Sequence, residues 1–323
     1  MNKIKNDKLS LRIGFFGTPE FSNILLKALV KAGHLPVVIV TKPDALVGRK
    51  KILTSSIVKQ NAQSLNIPTL TPKKLDADFF SLYSSFQTDI AIVCAYGKIF
   101  PKELLSLPKK GCLNIHASLL PFYRGASPIQ NAILDGKTET GITLMIMEPG
   151  LDTGPILKSK SILIEKNDTT ETLTPKLAYL GSELVLEILP DWIKNCIEPK
   201  KQDDKLATYC KIIHKEDGHI NWNQTADSVY NTFRAFTPWP GIHAFLKIKD
   251  KSLRIKFLDI TTDSITIHSN PPGTIQQFEK KLFVVTGDRK SIIIKKIQVE
   301  GKNPISSDLF LSGYRNTLNT LLF

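Results

Sequence analysis

The first part of the chain alternates short apolar runs with longer segments of helical spacing. Apolar runs at 11–16, 37–40 and 90–94 are bounded by glycine, proline or polar residues, as is typical of buried strands. Between the first two lies a segment whose apolar positions recur at helical spacing and which ends at Gly33. A strand, helix and strand in this order predict a doubly wound, mostly parallel sheet, because parallel strands require a crossover connection.

The same patterns predict further elements along the chain. Helices are expected at 55–65, 77–85, 127–136, 169–194 and 226–236. Additional strands are expected at 112–115, which should be buried, and at 141–147 and 158–164. The long helical pattern at 169–194 should break near Pro175 and Pro190, because proline lacks a backbone N–H and clashes with the preceding turn.

The last third of the chain has a different pattern. Short strand-like runs recur between glycine and proline residues, at 243–248, 253–260, 264–268, 282–286 and 291–299. Several short strands at this spacing predict a small β-barrel, of the open OB-like kind. The segment EPKKQDDK at 198–205 contains no apolar residue and is interpreted as a linker. We therefore expect two domains, at 1–200 and 201–323.

Three polar side chains follow two of the predicted strands. Asn114 and His116 stand at the carboxyl end of the strand at 112–115, and the strand at 141–147 leads to a glycine-flanked turn with Asp152. We expect these neighbouring strand ends to bring the three side chains to one pocket. A histidine can shuttle a proton, a carboxylate can orient it, and an amide can donate to a developing oxyanion. Because no nucleophile stands beside them, this set favours direct transfer over a covalent intermediate. A histidine after a strand is also often only structural, and these residue types alone do not decide between the two.

Charge and composition narrow the classes of partner. The chain has 43 basic and 30 acidic residues, a formal net charge of +13. From Lys205 onward there are 17 basic and 10 acidic residues, a net charge of 17 − 10 = +7. More than half of the excess positive charge therefore lies in the last third of the chain. The excess favours a polyanionic partner such as RNA, although a lysine-rich proteome produces the same signal. An OB-like barrel with no ligand would also be compatible with it.

The sequence lacks the patterns typical of metal-binding, NAD-binding, membrane and secreted proteins. The four cysteines form no Cys-x-x-Cys pair and the histidines are scattered, so a metal site is not expected. The dinucleotide fingerprint Gly-x-Gly-x-x-Gly is absent, so NAD is not expected either. The sequence shows neither a long apolar run nor the apolar core of a signal peptide, which indicates a cytoplasmic protein without a membrane contact.

Six motifs stand in a specific order along the chain. From Asn114 the sequence reads NIHASLLP, from Tyr123 YRGASPIQ, and from Leu151 LDTG. This combination resembles the formyltransferases that use 10-formyltetrahydrofolate. Three further motifs are similar to the members that act on an aminoacylated tRNA, namely FFGTPEF, TKPDALVGRKK and PWPG. The resemblance extends over nearly the whole chain and omits only about the first ten residues.

The resemblance implies both a fold and a set of site residues. It implies a Rossmann-like, folate-binding catalytic domain followed by an OB-like, tRNA-binding domain. The implied catalytic residues are Asn114, His116 and Asp152. The implied folate-binding residues are Tyr96, Gly97, Ser118, Leu119, Leu120 and Pro121. The implied tRNA-binding residues are Arg49, Lys50 and Lys51.

The activity implied is transfer of the formyl group from 10-formyltetrahydrofolate to the α-amino group of methionine on initiator Met-tRNA, by a monomer without metal or NAD. Two positions depart from the family pattern. Arg49 is followed by two lysines where the family has Gly-Arg-Gly, and Phe122 stands where a basic residue is common. Two other functions remain open: formyl transfer to a small amine such as an amino-sugar nucleotide, and RNA binding by a catalytically silent protein.

Overall fold

The computed structural model describes residues 11–48, 51–248, 251–263, 269–278 and 281–323. Within them the chain forms two compact units. The first contains the chain up to Pro128 together with Thr140–Ile162 and Thr174–Cys210, and the second contains Ile129–Glu139, Leu163–Leu173 and the chain from Lys211 onward. The predicted domain division at 200 and 201 stays a prediction.

Eleven strands and six helices precede Lys211 in the part of the chain that the structure describes. The strands are β1 (Ile13–Gly17), β2 (Val38–Val40), β3 (Ala45–Val47), β4 (Ile52–Thr54), β5 (Thr69–Leu70), β6 (Ile90–Cys94), β7 (Cys112–His116), β8 (Arg124–Gly125), β9 (Glu139–Ile146), β10 (Ile156–Leu163) and β11 (Tyr209–Cys210). The helices are α1 (Glu20–Lys31), α2 (Ile57–Ser64), α3 (Ala77–Ser84), α4 (Lys102–Leu105), α5 (Pro128–Leu134) and α6 (Thr170–Ile193), and a 3₁₀ turn covers Asp204–Leu206.

The first unit is built on a seven-stranded sheet with the strand order β10-β9-β7-β6-β1-β2-β5. The pairs β1–β2, β1–β6, β2–β5 and β6–β7 are parallel. Every residue of β1, β2 and β6 is buried, which explains their uninterrupted apolar sequences, because helices cover both faces of such sheets. The predicted doubly wound, mostly parallel sheet is confirmed.

Helix α6 corrects one prediction, because it runs unbroken through Pro175 and Pro190. An interior proline costs about 3 kcal/mol through its missing N–H and its ring clash. Against this, Leu177, Leu184 and Leu189 are completely buried, and burial of each leucine contributes about 2 kcal/mol. Further buried apolar side chains of α6 add to this sum. Packing of the apolar stripe therefore keeps the helix continuous where local propensity favours a break.

Six strands and two helices follow Cys210 among the described residues. The strands are β12 (Ile242–Ile248), β13 (Lys251–Asp263), β14 (Ile275–Phe278), β15 (Lys281–Val285), β16 (Ser291–Val299) and β17 (Ile305–Ser306). The helices are α7 (Ala226–Phe236) and α8 (Ser307–Gly313), and 3₁₀ turns cover Lys215–Gly218 and Arg315–Thr317.

The strands of the second unit form one antiparallel sheet with the order β12-β13-β16-β15-β14, and β17 pairs with β16. Its register shifts around Asp259 of β13, and such irregularities bend a strand and increase its twist. The sheet curls into a half-barrel, so the predicted OB-like architecture is confirmed. The strand predicted at 264–268 lies outside the described residues.

Candidate active site

The predicted catalytic residues converge in the first unit, by a route that differs from the expected one. Asn114 and His116 lie at the carboxyl end of β7. Strand β9 runs antiparallel to β7, with Asn114 opposite Met145. The two strands therefore end at opposite edges of the sheet, so it is not neighbouring strand ends that bring the three side chains together. Asp152 instead lies in the loop after β9, in the left-handed backbone conformation with φ 54°.

The carboxylate of Asp152 contacts both other members of the set. Its Oδ1 accepts a hydrogen bond from Asn114 Nδ2 at 3.4 Å, and its Oδ2 lies 3.5 Å from His116 Nδ1. The backbone N–H of Gly125 also donates to Oδ2, at 2.8 Å. The side chains of His116 and Asp152 are 6% and 15% exposed. The three side chains thus form one connected and largely buried cluster.

The surroundings of His116 determine where its protons lie. Nε2 is 2.9 Å from the carbonyl oxygen of Tyr123. A carbonyl can only accept, so Nε2 carries a proton, while Nδ1 faces the Asp152 carboxylate, which when ionised also only accepts. Both ring nitrogens therefore face acceptors. The imidazole ring is therefore held from both sides.

The loop predicted to bind folate is held by hydroxyl groups. Ser118 is completely buried and its Oγ donates to the carbonyl of Phe122 at 2.6 Å. Thr143 donates to the carbonyl of Ser118 at 2.7 Å and accepts from Leu120 N–H at 3.1 Å. Leu119 and Pro121 are half-buried, and Phe122 is exposed. The hydroxyl of Ser118 therefore shapes this loop, and Thr143 is a supporting residue that the sequence did not indicate.

Tyr96 and Gly97 lie in the turn after β6, whose carboxyl end lies at the same edge as that of the parallel strand β7. The Tyr96 ring packs against Phe16 and Phe100, with centroid distances of 5.5 and 6.0 Å. Its hydroxyl is buried without a hydrogen-bond partner among the described residues, and burial raises the pKa of Tyr96. Gly97 has φ 72°, and a Cβ there would lie 3.0 Å from Lys42 Nζ. The ring of Tyr96 thus belongs to the core, whereas its hydroxyl has no partner there among the described residues.

The predicted basic loop connects β3 and β4, which form a short antiparallel hairpin. Lys51 is exposed, whereas Arg49 and Lys50 lie outside the described residues. The hairpin also exposes the apolar side chains of Leu46 and Leu53. The hairpin itself was not predicted, because its two strands have only three residues each.

The segment interpreted as a linker contributes to the site. Gln202 is 6% exposed, and its side-chain amide donates to the carbonyls of Asp152 and Gly154. The linker interpretation is therefore wrong at this residue. A segment without apolar residues can still be buried when its polar groups all find partners. In the sequence, the one hint of this burial is that Gln202 is a neutral residue between charged neighbours.

The described residues contain neither a cluster of metal ligands nor a membrane-spanning helix. Among them no three His, Cys, Asp or Glu side chains are grouped so that they could hold a metal ion. Within the same ranges, every helix is too short or too polar to cross a membrane.

Comparison with known proteins identifies the family. Residues 11–189 match the family described as "Formyl transferase", and residues 212–315 match "Formyl transferase, C-terminal domain". The chain belongs to the formyl transferase family.

Curated relatives match this formyl transferase chain over almost its full length. A protein named methionyl-tRNA formyltransferase from Staphylococcus aureus strain MW2 is 40% identical over 95% of this chain and 97% of its own. Proteins of the same name from Caldicellulosiruptor saccharolyticus and Thermodesulfovibrio yellowstonii are each 42% identical over 94% of this chain, covering 97% and 96% of their own.

Solved structures share the formyl transferase fold at lower identity. The N-formyltransferase from Helicobacter canadensis, solved with folinic acid and dTDP-3-aminofucose, has a TM-score of 0.65 at 21% identity over 88% of this chain and 98% of its own. HypX from Aquifex aeolicus, solved with tetrahydrofolic acid, has a TM-score of 0.61 at 15% identity over 96% of this chain and 48% of its own.

Proposed function

We propose that this chain transfers the formyl group of 10-formyltetrahydrofolate to the α-amino group of methionine on initiator Met-tRNA, for translation initiation. The observation that carries the proposal is the near full-length similarity to methionyl-tRNA formyltransferases, in a chain whose Asn114, His116 and Asp152 form one connected cluster. Since initiator tRNA is aminoacylated and used in the cytoplasm, we place the protein there. We also propose a monomer, because the whole cluster comes from one chain.

The residues at this edge of the sheet fit a folate. The unpartnered, buried hydroxyl of Tyr96 can hydrogen-bond a polar ligand, and the positive φ of Gly97 lets the backbone approach it closely. The loop from Ser118 to Pro121 adds half-buried apolar surface. When bound, 10-formyltetrahydrofolate supplies an already activated formyl group, so that the protein need only orient it and stabilise charge.

Asn114 is suited to stabilising the oxyanion of formyl transfer. Its amide has two protons, and one is directed to Asp152 Oδ1. That contact holds the amide plane and leaves the second N–H as the donor for an oxygen that becomes negative. An aspartate in place of Asn114 would present only acceptors to that oxygen and would repel the Asp152 carboxylate.

His116 and Asp152 act as a pair in handling the proton that the attacking amine loses. The shared position for that proton is between His116 Nδ1 and Asp152 Oδ2, which lie 3.5 Å apart. The carbonyl of Tyr123 fixes the ring from its other side. The imidazolium that results has a hydrogen-bond acceptor at each nitrogen, which lowers the cost of forming it in a buried site. When the bond between the formyl carbon and N10 of the folate breaks, the imidazolium returns the proton to N10, and tetrahydrofolate leaves.

The test is transfer of labelled formyl from 10-formyltetrahydrofolate to three acceptors: initiator Met-tRNA, free methionine and dTDP-3-aminofucose. We expect label on Met-tRNA and none on the other two. Label on the sugar nucleotide alone would establish the small-amine alternative. Binding of tRNA with no transfer to any acceptor would establish the silent RNA-binding protein.

Light scattering tests the oligomeric state against the chain mass of 36.1 kDa.

A further inference from the structure

The amide of Gln202 makes four hydrogen bonds inside the first unit. Nε2 donates to the carbonyls of Asp152 at 2.8 Å and Gly154 at 2.7 Å. Oε1 accepts from Arg124 Nε at 3.1 Å and from Arg124 Nη2 at 2.8 Å. A flipped amide would place its oxygen against two carbonyls and its NH₂ against a guanidinium, so only one orientation satisfies these partners. Gln202 is therefore held in one orientation by all its polar atoms.

Arg124, on the other side of this contact, is itself fixed. It is 1% exposed, and its Nη2 also donates to Asp204 Oδ1 at 2.8 Å. Its two chain neighbours hold the catalytic cluster: the carbonyl of Tyr123 contacts His116 Nε2, and Gly125 N–H donates to Asp152 Oδ2. Movement of Arg124 would therefore move both of these backbone contacts.

Gln202 thus joins the loop of Arg124 to the loop that carries Asp152. One loop is held through the Arg124 side chain, and the other through the carbonyls of Asp152 and Gly154. The backbone of Asp152 has φ 54°, a conformation that is costly for a residue other than glycine and persists only where surrounding contacts impose it. The contact from Asn114 to Asp152 is long, at 3.4 Å, whereas both bonds from Gln202 are shorter than 3 Å.

We propose that Gln202 is a positioning residue for formyl transfer, which acts by holding the Asp152 loop against the loop of Arg124. The proposal rests on the proposed function, since formyl transfer is its readout. Because protein groups occupy the hydrogen-bonding positions of its amide, we assign Gln202 no contact with the formyl donor or the amine. Its contribution is to keep Asp152 Oδ2 in place against Gly125 N–H and His116, and a small displacement of such a group can cost about a hundredfold in rate.

Two variants of the full chain test this. Gln202→Ala removes the whole contact. Gln202→Glu keeps an acceptor for Arg124 but replaces the donor to the Asp152 and Gly154 carbonyls by an oxygen. We expect each to lower kcat by about tenfold to a hundredfold, with KM for the folate and for Met-tRNA within about twofold. Asp203→Asn, an exposed change one residue away, is the matched control and should leave kcat within about twofold.

A double-mutant cycle with Asp152→Asn separates positioning from general destabilisation. If Gln202 acts through Asp152, Gln202→Glu should cost little further activity in the Asp152→Asn background. The proposal would be overturned if the losses in kcat of the two single variants multiplied fully in the double variant. It would also be overturned if both folded Gln202 variants kept a kcat within twofold of wild type, or if only KM changed. If Gln202→Ala does not fold, the kcat of Gln202→Glu tests the proposal. A wild-type chain that does not formylate Met-tRNA would refute the proposed function itself, whatever the variants do.

Discussion

At the scale of single residues, the two carboxylate oxygens of Asp152 have different partners. Oδ1 faces Asn114, and Oδ2 faces both Gly125 N–H and His116. Replacing Asp152 by asparagine keeps the size of the side chain but removes the charge that stabilises an imidazolium. Replacing His116 by asparagine removes the proposed proton acceptor.

We expect His116→Asn and Asp152→Asn each to lower the rate of transfer by about a hundredfold or more, the scale of lost acid–base catalysis. Thermal unfolding and tRNA binding should stay near those of wild type. Single-turnover transfer of labelled formyl measures the rate, with Asp203→Asn as a control for a carboxylate lost elsewhere. Retained activity in both variants would remove this cluster from the mechanism.

Two buried tyrosines allow a matched comparison. The hydroxyl of Tyr96 has no partner among the described residues, whereas Tyr83 accepts a hydrogen bond from Thr88 at 3.1 Å. Tyr96→Phe should therefore leave the free energy of unfolding unchanged or raise it by up to about 1 kcal/mol, while Tyr83→Phe should lower it by about 1 kcal/mol. Urea unfolding of the two variants measures the difference.

The same pair of variants tests the folate role of Tyr96. If its hydroxyl hydrogen-bonds the bound folate, Tyr96→Phe should raise KM for 10-formyltetrahydrofolate several-fold, and Tyr83→Phe should not. An unchanged KM in Tyr96→Phe would mean that this ring serves only to pack the core.

At the scale of elements, the β3–β4 hairpin is the predicted contact for the tRNA acceptor end. We expect Arg49→Ala and Lys51→Ala to raise KM for Met-tRNA several-fold and to leave KM for the folate unchanged, because phosphate contacts position the RNA. Lys27→Ala, which removes an exposed charge from α1, is the control and should change neither value. An equal rise in KM for the folate would show that the hairpin shapes the folate pocket instead.

The start of α7 depends on the charge of Asp288. Burial raises the pKa of this carboxyl, but hydrogen bonds from Thr286 and from Ala226 N–H outweigh that effect and hold the pKa below 3.8. A lowered pKa means that the stabilisation is complete above about pH 4 and is lost as the pH falls through the folded-state pKa.

Asp288→Asn should therefore destabilise the protein by about 1 kcal/mol at pH 7, with a difference from wild type that shrinks below pH 4. Urea unfolding of both proteins between pH 7 and pH 3 measures this difference. A constant difference over the whole range would mean that the charge of Asp288 contributes nothing.

At the scale of the whole molecule, the excess positive charge after Lys205 predicts that the second unit contacts tRNA phosphates. Exposed lysines of β16, Lys295 and Lys296, offer a direct test. Neutralising both to glutamine should reduce the slope of log affinity for tRNA against log salt by up to about 1.8, since each phosphate contact contributes about 0.7 to 0.9. Folate affinity should be unaffected.

The control for this test is neutralisation of Lys27 and Lys31 on α1, which changes the net charge by the same amount in the first unit. An unchanged slope in the Lys295 and Lys296 variant would show that the charge of the half-barrel faces solvent. Substitution suits this question better than truncation at Gln202, because that truncation would remove β11, which pairs with β8 beside the active site.

Local sequence was sufficient wherever short-range periodicity and burial agree. Strand β6, helix α7 and strand β16 have the bounds that the hydrophobic pattern predicted. The motif residues Asn114, His116 and Asp152 were also predicted from sequence, and the structure brings them together. These features depend on the order of side chains within one element, or on a motif that resembles a known family.

Tertiary structure alone decided the features that join distant parts of the chain. Arg124 and Gln202, which share a hydrogen bond, are 78 positions apart. The antiparallel direction of β9 is likewise defined by its pairing with β7. The polar composition of 198–205 predicted a linker because charged residues are usually solvated. The burial of Gln202 depends instead on carbonyl and guanidinium partners from other loops, which no local pattern shows. The sequence thus indicated which residues make up the proposed catalytic cluster, and the non-local hydrogen bonds determined how that cluster is held, because those bonds exist only once the chain has folded.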